Sequence, residues 1–76
     1  MPPKLPGVSG EQAIRSLKQP GFVQMRQRGS HVILKKQTLE GEIGCVVPLH
    51  HELAVGTLRN ILRQASMTPE EFIENL

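Results

Sequence analysis

The sequence has little of what marks several large classes of protein. Its aromatic residues are two phenylalanines, with neither tryptophan nor tyrosine, so the hydrophobic core must be mostly aliphatic. Its single cysteine excludes an intramolecular disulfide and is typical of a reducing compartment. No apolar run approaches the roughly 18 residues that cross a bilayer, and no signal-peptide core is present. These absences predict a cytoplasmic protein.

Length and charge leave the class of partner open. A chain of 76 residues is near the lower limit for a self-sufficient core, which predicts one small domain over residues 1–76. A net charge of +2 points to a particular partner only if the positive side chains share a face. The proline-rich and glycine-containing residues 1–7 predict an irregular leader.

Capping signals predict three helices. Ser9 with Gln12 forms a capping-box pattern that begins the first helix, and a proline–glycine pair ends it. Its apolar stripe leaves Arg15, Ser16 and Lys18 on the side predicted to be exposed. The second helix begins after Gly56 and carries apolar residues at helical spacing, at Leu58, Ile61, Leu62 and Ala65. A second capping-box pattern, over residues 68–71, begins a short last helix.

A hairpin is predicted around Gly29 and Ser30, between strands at 22–28 and 31–36. A glycine in the first turn position favours a type II′ turn, which places Arg28 opposite His31. Directly opposed residues project to the same side of a sheet. The side predicted to face the core carries Val23, Met25, Val32 and Leu34. The opposite side is predicted to be cationic and carries Gln24, Arg26, Arg28, His31 and Lys35, with Ile33 among them.

A third strand is predicted over residues 43–47, after a polar loop at 37–42, and Pro48 ends it. The predicted fold class is therefore α+β, in the order α-β-β-β-α with a short extra C-terminal helix. Helices cover one face of a three-stranded antiparallel sheet.

His31 is the leading candidate for chemistry, because an imidazole exchanges protons near neutral pH. A histidine after a turn is more often an ordinary surface residue, but the predicted cationic neighbours favour a role with phosphate. A metal site at His31, His50, His51 and Cys45 is not predicted, since no H-x3-H or C-x2-C spacing occurs. Ser30 and Cys45 are poor candidates for a nucleophile. Arg59 and Arg63 are interpreted as a solvated helix face.

Five segments in order resemble one family of small prokaryotic proteins. These segments are Ser9-Gly10, Pro20-Gly21-Phe22, Gly29-Ser30-His31, Val47-Pro48-Leu49-His50 and Gly56-Thr57-Leu58 with the residues that follow. Together they resemble HicA, the toxin of HicA–HicB toxin–antitoxin systems. The resemblance implies a fold like the double-stranded-RNA-binding domain and a toxin that cleaves mRNA without a metal or other cofactor. It also implies a catalytic histidine at His31 and a HicB-like antitoxin that blocks it.

We therefore expect an endoribonuclease whose partners are mRNA and an antitoxin protein. The residues predicted to bind RNA are Arg26, Arg28, Gly29, Ser30 and Lys35. Two other functions would use the same cationic face without catalysis. One is a double-stranded-RNA-binding module that recognises a duplex by shape, and the other is an interaction domain for an acidic protein.

Overall fold

A computed structural model describes residues 4–76 and confirms the predicted order of elements. The elements are α1 (Gly10–Lys18), β1 (Val23–Arg28), β2 (His31–Thr38), β3 (Gly41–Pro48), α2 (Val55–Gln64) and α3 (Pro69–Glu74). The three strands form one antiparallel sheet in the order β1-β2-β3. Within residues 4–76, no helix combines the length and hydropathy that a membrane crossing requires.

The core lies between one side of the sheet and the helices, and it is mostly aliphatic as predicted. Phe22 and Phe72 are its aromatic members, and both are buried. Leu5 and Val8, which precede α1, are buried in the same cluster. Leu5 therefore packs in the core although it lies in the predicted leader, while residues 1–3 of that leader lie outside the described residues.

Both predicted capping boxes are present. The Ser9 hydroxyl accepts a hydrogen bond from the Gln12 backbone N–H at 3.1 Å, and the Gln12 side chain accepts one from the Ser9 N–H at 2.9 Å. Thr68 and Glu71 make the same reciprocal pair at the start of α3. Each box satisfies backbone donors that a helix leaves unpaired at its N-terminus, so these two helix starts are fixed by local sequence.

Ser16 corrects the prediction that it lies on the exposed side of α1. Its side chain is fully buried, and its hydroxyl donates a hydrogen bond to the Phe72 carbonyl at 2.8 Å. A buried hydroxyl is tolerated when it is hydrogen-bonded. Here the bond ties α1 to α3, a partnership that helical spacing alone does not reveal.

A β-bulge at Met25 overturns the prediction that Val23 and Met25 face the core. The pairing is regular from Arg28 opposite His31 to Arg26 opposite Ile33, and then β1 gains one extra residue. Beyond the bulge Val23 lies opposite Lys35, so it shares the side of the sheet away from the core. Val23 and Met25 are accordingly 59% and 58% exposed.

The same bulge moves Gln24 out of the predicted cationic set. Gln24 pairs with Leu34, which is buried in the core, and not with the lysine after it. The sheet side away from the core, which we call the open side, therefore carries Val23, Met25, Arg26, Arg28, His31, Ile33 and Lys35 from β1 and β2.

Residues 37–42 form the tip of a second hairpin, where the sequence predicted a polar loop. β2 runs to Thr38 and β3 begins at Gly41, leaving Leu39 and Glu40 as the turn. The strand ends are polar because both project into solvent, and polar bonds hold them together. The Gln37 amide donates to a Glu42 carboxylate oxygen at 2.9 Å, and the Thr38 hydroxyl donates to the Gly41 carbonyl at 2.6 Å.

The two longer helices contact the outer edge of β3 and the chain just beyond it. The Val46 N–H donates to the side-chain oxygen of Gln64 on α2 at 3.3 Å. Further along the chain, the Gly10 N–H at the start of α1 donates to the His50 carbonyl at 2.9 Å. Pro48 has no N–H to leave unpaired at this edge. These contacts protect an edge that would otherwise be open to pairing with another chain.

Gly10 is required where α1 meets the end of β3. A Cβ atom at this position would collide with the Pro48 carbonyl oxygen and would lie 3.0 Å from the Leu49 Cα. Both obstacles are backbone atoms, so a side-chain rotation cannot relieve the contact. We expect Gly10→Ala to lower the free energy of unfolding by about 1–3 kcal/mol, the usual cost of forcing extra atoms into a packed site. Urea denaturation followed by circular dichroism measures the change.

Gly56→Ala is the matched control. Gly56 lies in the first turn of α2, with no atom within 4 Å of an added Cβ. Alanine is the better helix former, so this variant should gain up to about 1 kcal/mol of stability. A Gly10→Ala protein as stable as the unsubstituted one would contradict the close approach of α1 to β3.

Candidate functional site

The turn between β1 and β2 places His31 at the first position of β2. Gly29 has φ of +56°, while Ser30 keeps a negative φ, which is the pattern of the predicted type II′ turn. The Gln27 side-chain amide donates to the Gly29 carbonyl at 2.9 Å and braces the turn. Residues 29–31 are all exposed. The glycine-first turn thus presents the His31 imidazole to solvent on a fixed backbone.

His31 is the central residue of a row that crosses the sheet. Arg28 of β1 lies directly opposite it on one flank, and Pro48 of β3 lies opposite it on the other. The pairing of β2 with β3 continues one residue beyond this row, because the Leu49 N–H donates to the Ser30 carbonyl at 2.6 Å. The turn and the end of β3 therefore hold each other in register beside the imidazole.

The predicted cationic side chains share the open side with His31. Their charges are not equally available to an anionic ligand. Lys35 forms a salt bridge with Glu42, with 3.2 Å between Nζ and Oε1. Within residues 4–76, Arg26 and Arg28 form no such ion pair, and both are exposed. The positive charge that can meet an anionic ligand is therefore concentrated at the end of the sheet that holds His31.

The open side also carries apolar surface, contributed by Val23, Met25 and Ile33. Two shallow depressions of about 400 and 540 Å³ adjoin there and share Met25 and Lys35 in their linings. His31 lines neither of them. The apolar contribution of Val23 and Met25 to this side was not predicted, because the alternation of residues along a strand carries no signal for the bulge that creates it.

A comparison with protein-family models identifies the chain. The model described as the HicA toxin of bacterial toxin–antitoxin systems matches residues 10–67, well over half of the sequence. The chain belongs to the HicA family. Comparison with the curated proteins finds no match. The match confirms the resemblance drawn from the five segments, and it makes this protein a toxin of a toxin–antitoxin system.

The match to the HicA model includes every predicted site residue. The matched range contains His31, the turn before it and the end of β3, and it stops at Met67, before α3 begins. The HicA family is known as one of RNase-type toxins.

Cys45, a poor candidate for a nucleophile, lies on the core side of β3 in this HicA protein. It is buried, and this burial raises the pKa of its thiol to about 11. At neutral pH the side chain is therefore a protonated thiol, whereas nucleophilic attack requires the thiolate. Among residues 4–76, no three histidine, cysteine or acidic side chains gather as metal ligands do.

We expect the Cys45 thiol of the folded HicA protein to resist alkylation. Iodoacetamide at pH 8 should label the native protein at least about tenfold more slowly than the protein unfolded in guanidinium chloride, since the reagent attacks exposed thiolates. Mass spectrometry of quenched time points measures both rates. Equal rates in the two states would contradict the burial of this residue.

Proposed function

We propose that this HicA toxin is a metal-independent endoribonuclease that cleaves mRNA and uses His31 as a proton-transfer residue. The observation that carries the proposal is the position of His31, exposed on the open side and directly opposite Arg28. An imidazole beside an unpaired guanidinium combines a proton carrier with a phosphate ligand. We further propose that a HicB-like antitoxin neutralises the toxin by covering this end of the sheet.

RNA carries the nucleophile for the reaction. The 2′-hydroxyl oxygen attacks the adjacent phosphorus, and the bond between phosphorus and the 5′-oxygen of the next nucleotide breaks. The proton of the 2′-hydroxyl passes to a base, and the departing 5′-oxygen takes a proton from an acid. The products are a 2′,3′-cyclic phosphate and a free 5′-hydroxyl. His31 performs one of these two transfers, as the base or as the acid.

The remaining proposed site residues bind the phosphate and the backbone near it. Arg28 and Arg26 are exposed and unpaired within residues 4–76, so they can donate to the non-bridging oxygens as negative charge builds there. Gly29 and Ser30 offer a turn with no bulky side chain, which lets the RNA backbone approach His31. Lys35, held by Glu42, lies further along the strand and contributes less.

His31→Ala should reduce the rate of RNA cleavage by roughly 10²–10⁴-fold, the usual contribution of a general acid or base. Binding of RNA should persist, since the arginines remain. The measurement is the rate at which new ends appear in a labelled mRNA, with circular dichroism confirming the fold. EDTA should leave the unsubstituted enzyme unaffected, because no metal takes part in the proposed reaction.

His51→Ala is the control for loss of an exposed histidine at the same end of the molecule. It should cleave RNA at the unsubstituted rate. Undiminished cleavage by a folded His31→Ala protein would overturn the assignment. Binding of a duplex with no new ends from the unsubstituted protein would instead favour the non-catalytic RNA-binding module.

Arg28→Ala should weaken RNA binding and make it less dependent on salt. Loss of one phosphate contact reduces the slope of log K against log salt by about 0.7–0.9. Fluorescence anisotropy of a labelled RNA across a salt series measures both effects. Arg63→Ala, which removes an exposed arginine from α2, is the charge-matched control. Equal losses in the two variants would show a general effect of net charge and not a contact at Arg28.

A further inference from the structure

We propose that His50 is the second proton-transfer residue of the ribonuclease reaction, the partner that His31 requires. The inference rests on the proposed function. From the sequence, His50 is considered for chemistry only as a metal ligand, and no metal site is predicted there. The structure places it two residues beyond the end of β3, at the same end of the sheet as His31.

The register assigns His50 to the open side. Pro48 lies opposite His31, and the Leu49 N–H bond to the Ser30 carbonyl extends the pairing by one residue. Alternate residues of a strand project to opposite sides. Leu49 packs partly buried against the core, on the same side as Val47 before it. The residue after Leu49 therefore continues on the side of Pro48 and His31, and His50 is exposed there.

The backbone of His50 is held from the other flank as well. Its carbonyl accepts the hydrogen bond from the Gly10 N–H at 2.9 Å, at the start of α1. The two bonds, at Leu49 and His50, fix this segment between the β1–β2 turn and α1. The structural bond is made by the backbone carbonyl and not by the imidazole. Replacing the side chain leaves that bond in place.

The other groups near this end of the sheet suit the role less well. His51 follows at a bend, beyond the segment that the two backbone bonds hold. Lys35 is paired with Glu42 towards the opposite end of the strand. Arginine stays protonated throughout the physiological range and transfers no proton. His50 is thus a titratable side chain whose backbone the fold holds at both flanks, two residues beyond the row containing His31.

In the proposed reaction one imidazole accepts the proton of the 2′-hydroxyl, and the other donates a proton to the departing 5′-oxygen. Each transfer leaves its histidine in the protonation state opposite to the one in which it started. Two such residues give a bell-shaped dependence of kcat/KM on pH, with one limb for the base and one for the acid. His50→Ala should therefore lower kcat/KM by roughly 10²-fold or more and abolish one limb, while His31→Ala abolishes the other.

A modified substrate distinguishes a residue that donates a proton from a residue that only maintains the fold. An RNA whose scissile 5′-oxygen is replaced by sulfur has a leaving group that departs without an acid. With this substrate, one of the two variants, His31→Ala or His50→Ala, should recover most of the lost rate, and the other should stay slow. A residue that merely holds the fold would not be rescued by a better leaving group. His51→Ala is the control and should behave like the unsubstituted protein on both substrates.

The outcomes distinguish this inference from the proposed function. If His31→Ala cleaves RNA normally, the proposed function fails first. If His31→Ala is inactive while His50→Ala retains both its rate and both limbs of the pH profile, only the inference is overturned. It is equally overturned if the sulfur-containing RNA rescues neither variant, or if His51→Ala loses as much activity as His50→Ala.

Discussion

The close seating of α1 against the end of β3 is the contact on which the site depends. It is possible because Gly10 has no side chain to meet the Pro48 carbonyl, and it is completed by the hydrogen bond from Gly10 to His50. The contact lies at the Pro48 end of β3 and fixes the chain that leaves it. Since Pro48 lies opposite His31, a shift of this segment would move one flank of the row that contains the imidazole. A packing constraint on the core side thus sets the geometry of the open side.

Local patterns were sufficient for two helix starts and for the first turn of the sheet. Both capping boxes join groups three residues apart, and the type II′ turn follows from one glycine, so the helix starts and the pairing of Arg28 with His31 were predicted correctly. The prediction for Ser16 failed because a distant contact decides its burial: its hydroxyl donates a hydrogen bond to a carbonyl on α3. The hairpin at 37–42 was missed for a different reason, because its strand ends are polar and pair with each other in solvent.

The bulge at Met25 shows the same limit within the site. Side chains alternate regularly on either side of an inserted residue, but the insertion reverses the side of the sheet to which they project. A prediction that assumes unbroken alternation is therefore wrong for every side chain beyond the bulge. His31, Arg28 and Arg26 precede the bulge when counted from the turn, and their predicted side of the sheet was correct. Val23 lies beyond the bulge, and its predicted side of the sheet was wrong. Errors in predicted pairing accumulate with distance from the turn of a hairpin. The predicted side of the sheet is therefore most accurate for site residues close to the turn.

On the open side Arg28 lies next to the turn, Val23 and Met25 lie further from it, and the ion pair between Lys35 and Glu42 adds to this difference between the two ends. An exposed pair of this kind contributes about 0–1 kcal/mol to stability. Its larger consequence is to offset one positive charge in the half of β2 distant from His31, near the exposed Val23 and Met25. An anionic backbone is attracted most strongly to the arginines at the turn. A neutralising protein has both surfaces available, since acidic groups can meet the arginines while apolar groups cover Met25 and its neighbours. If RNA and an antitoxin both bind the turn end, as the proposed function requires, their competition would be unequal, because burial of the apolar end adds about 25 cal/mol per Å² that RNA phosphates cannot supply.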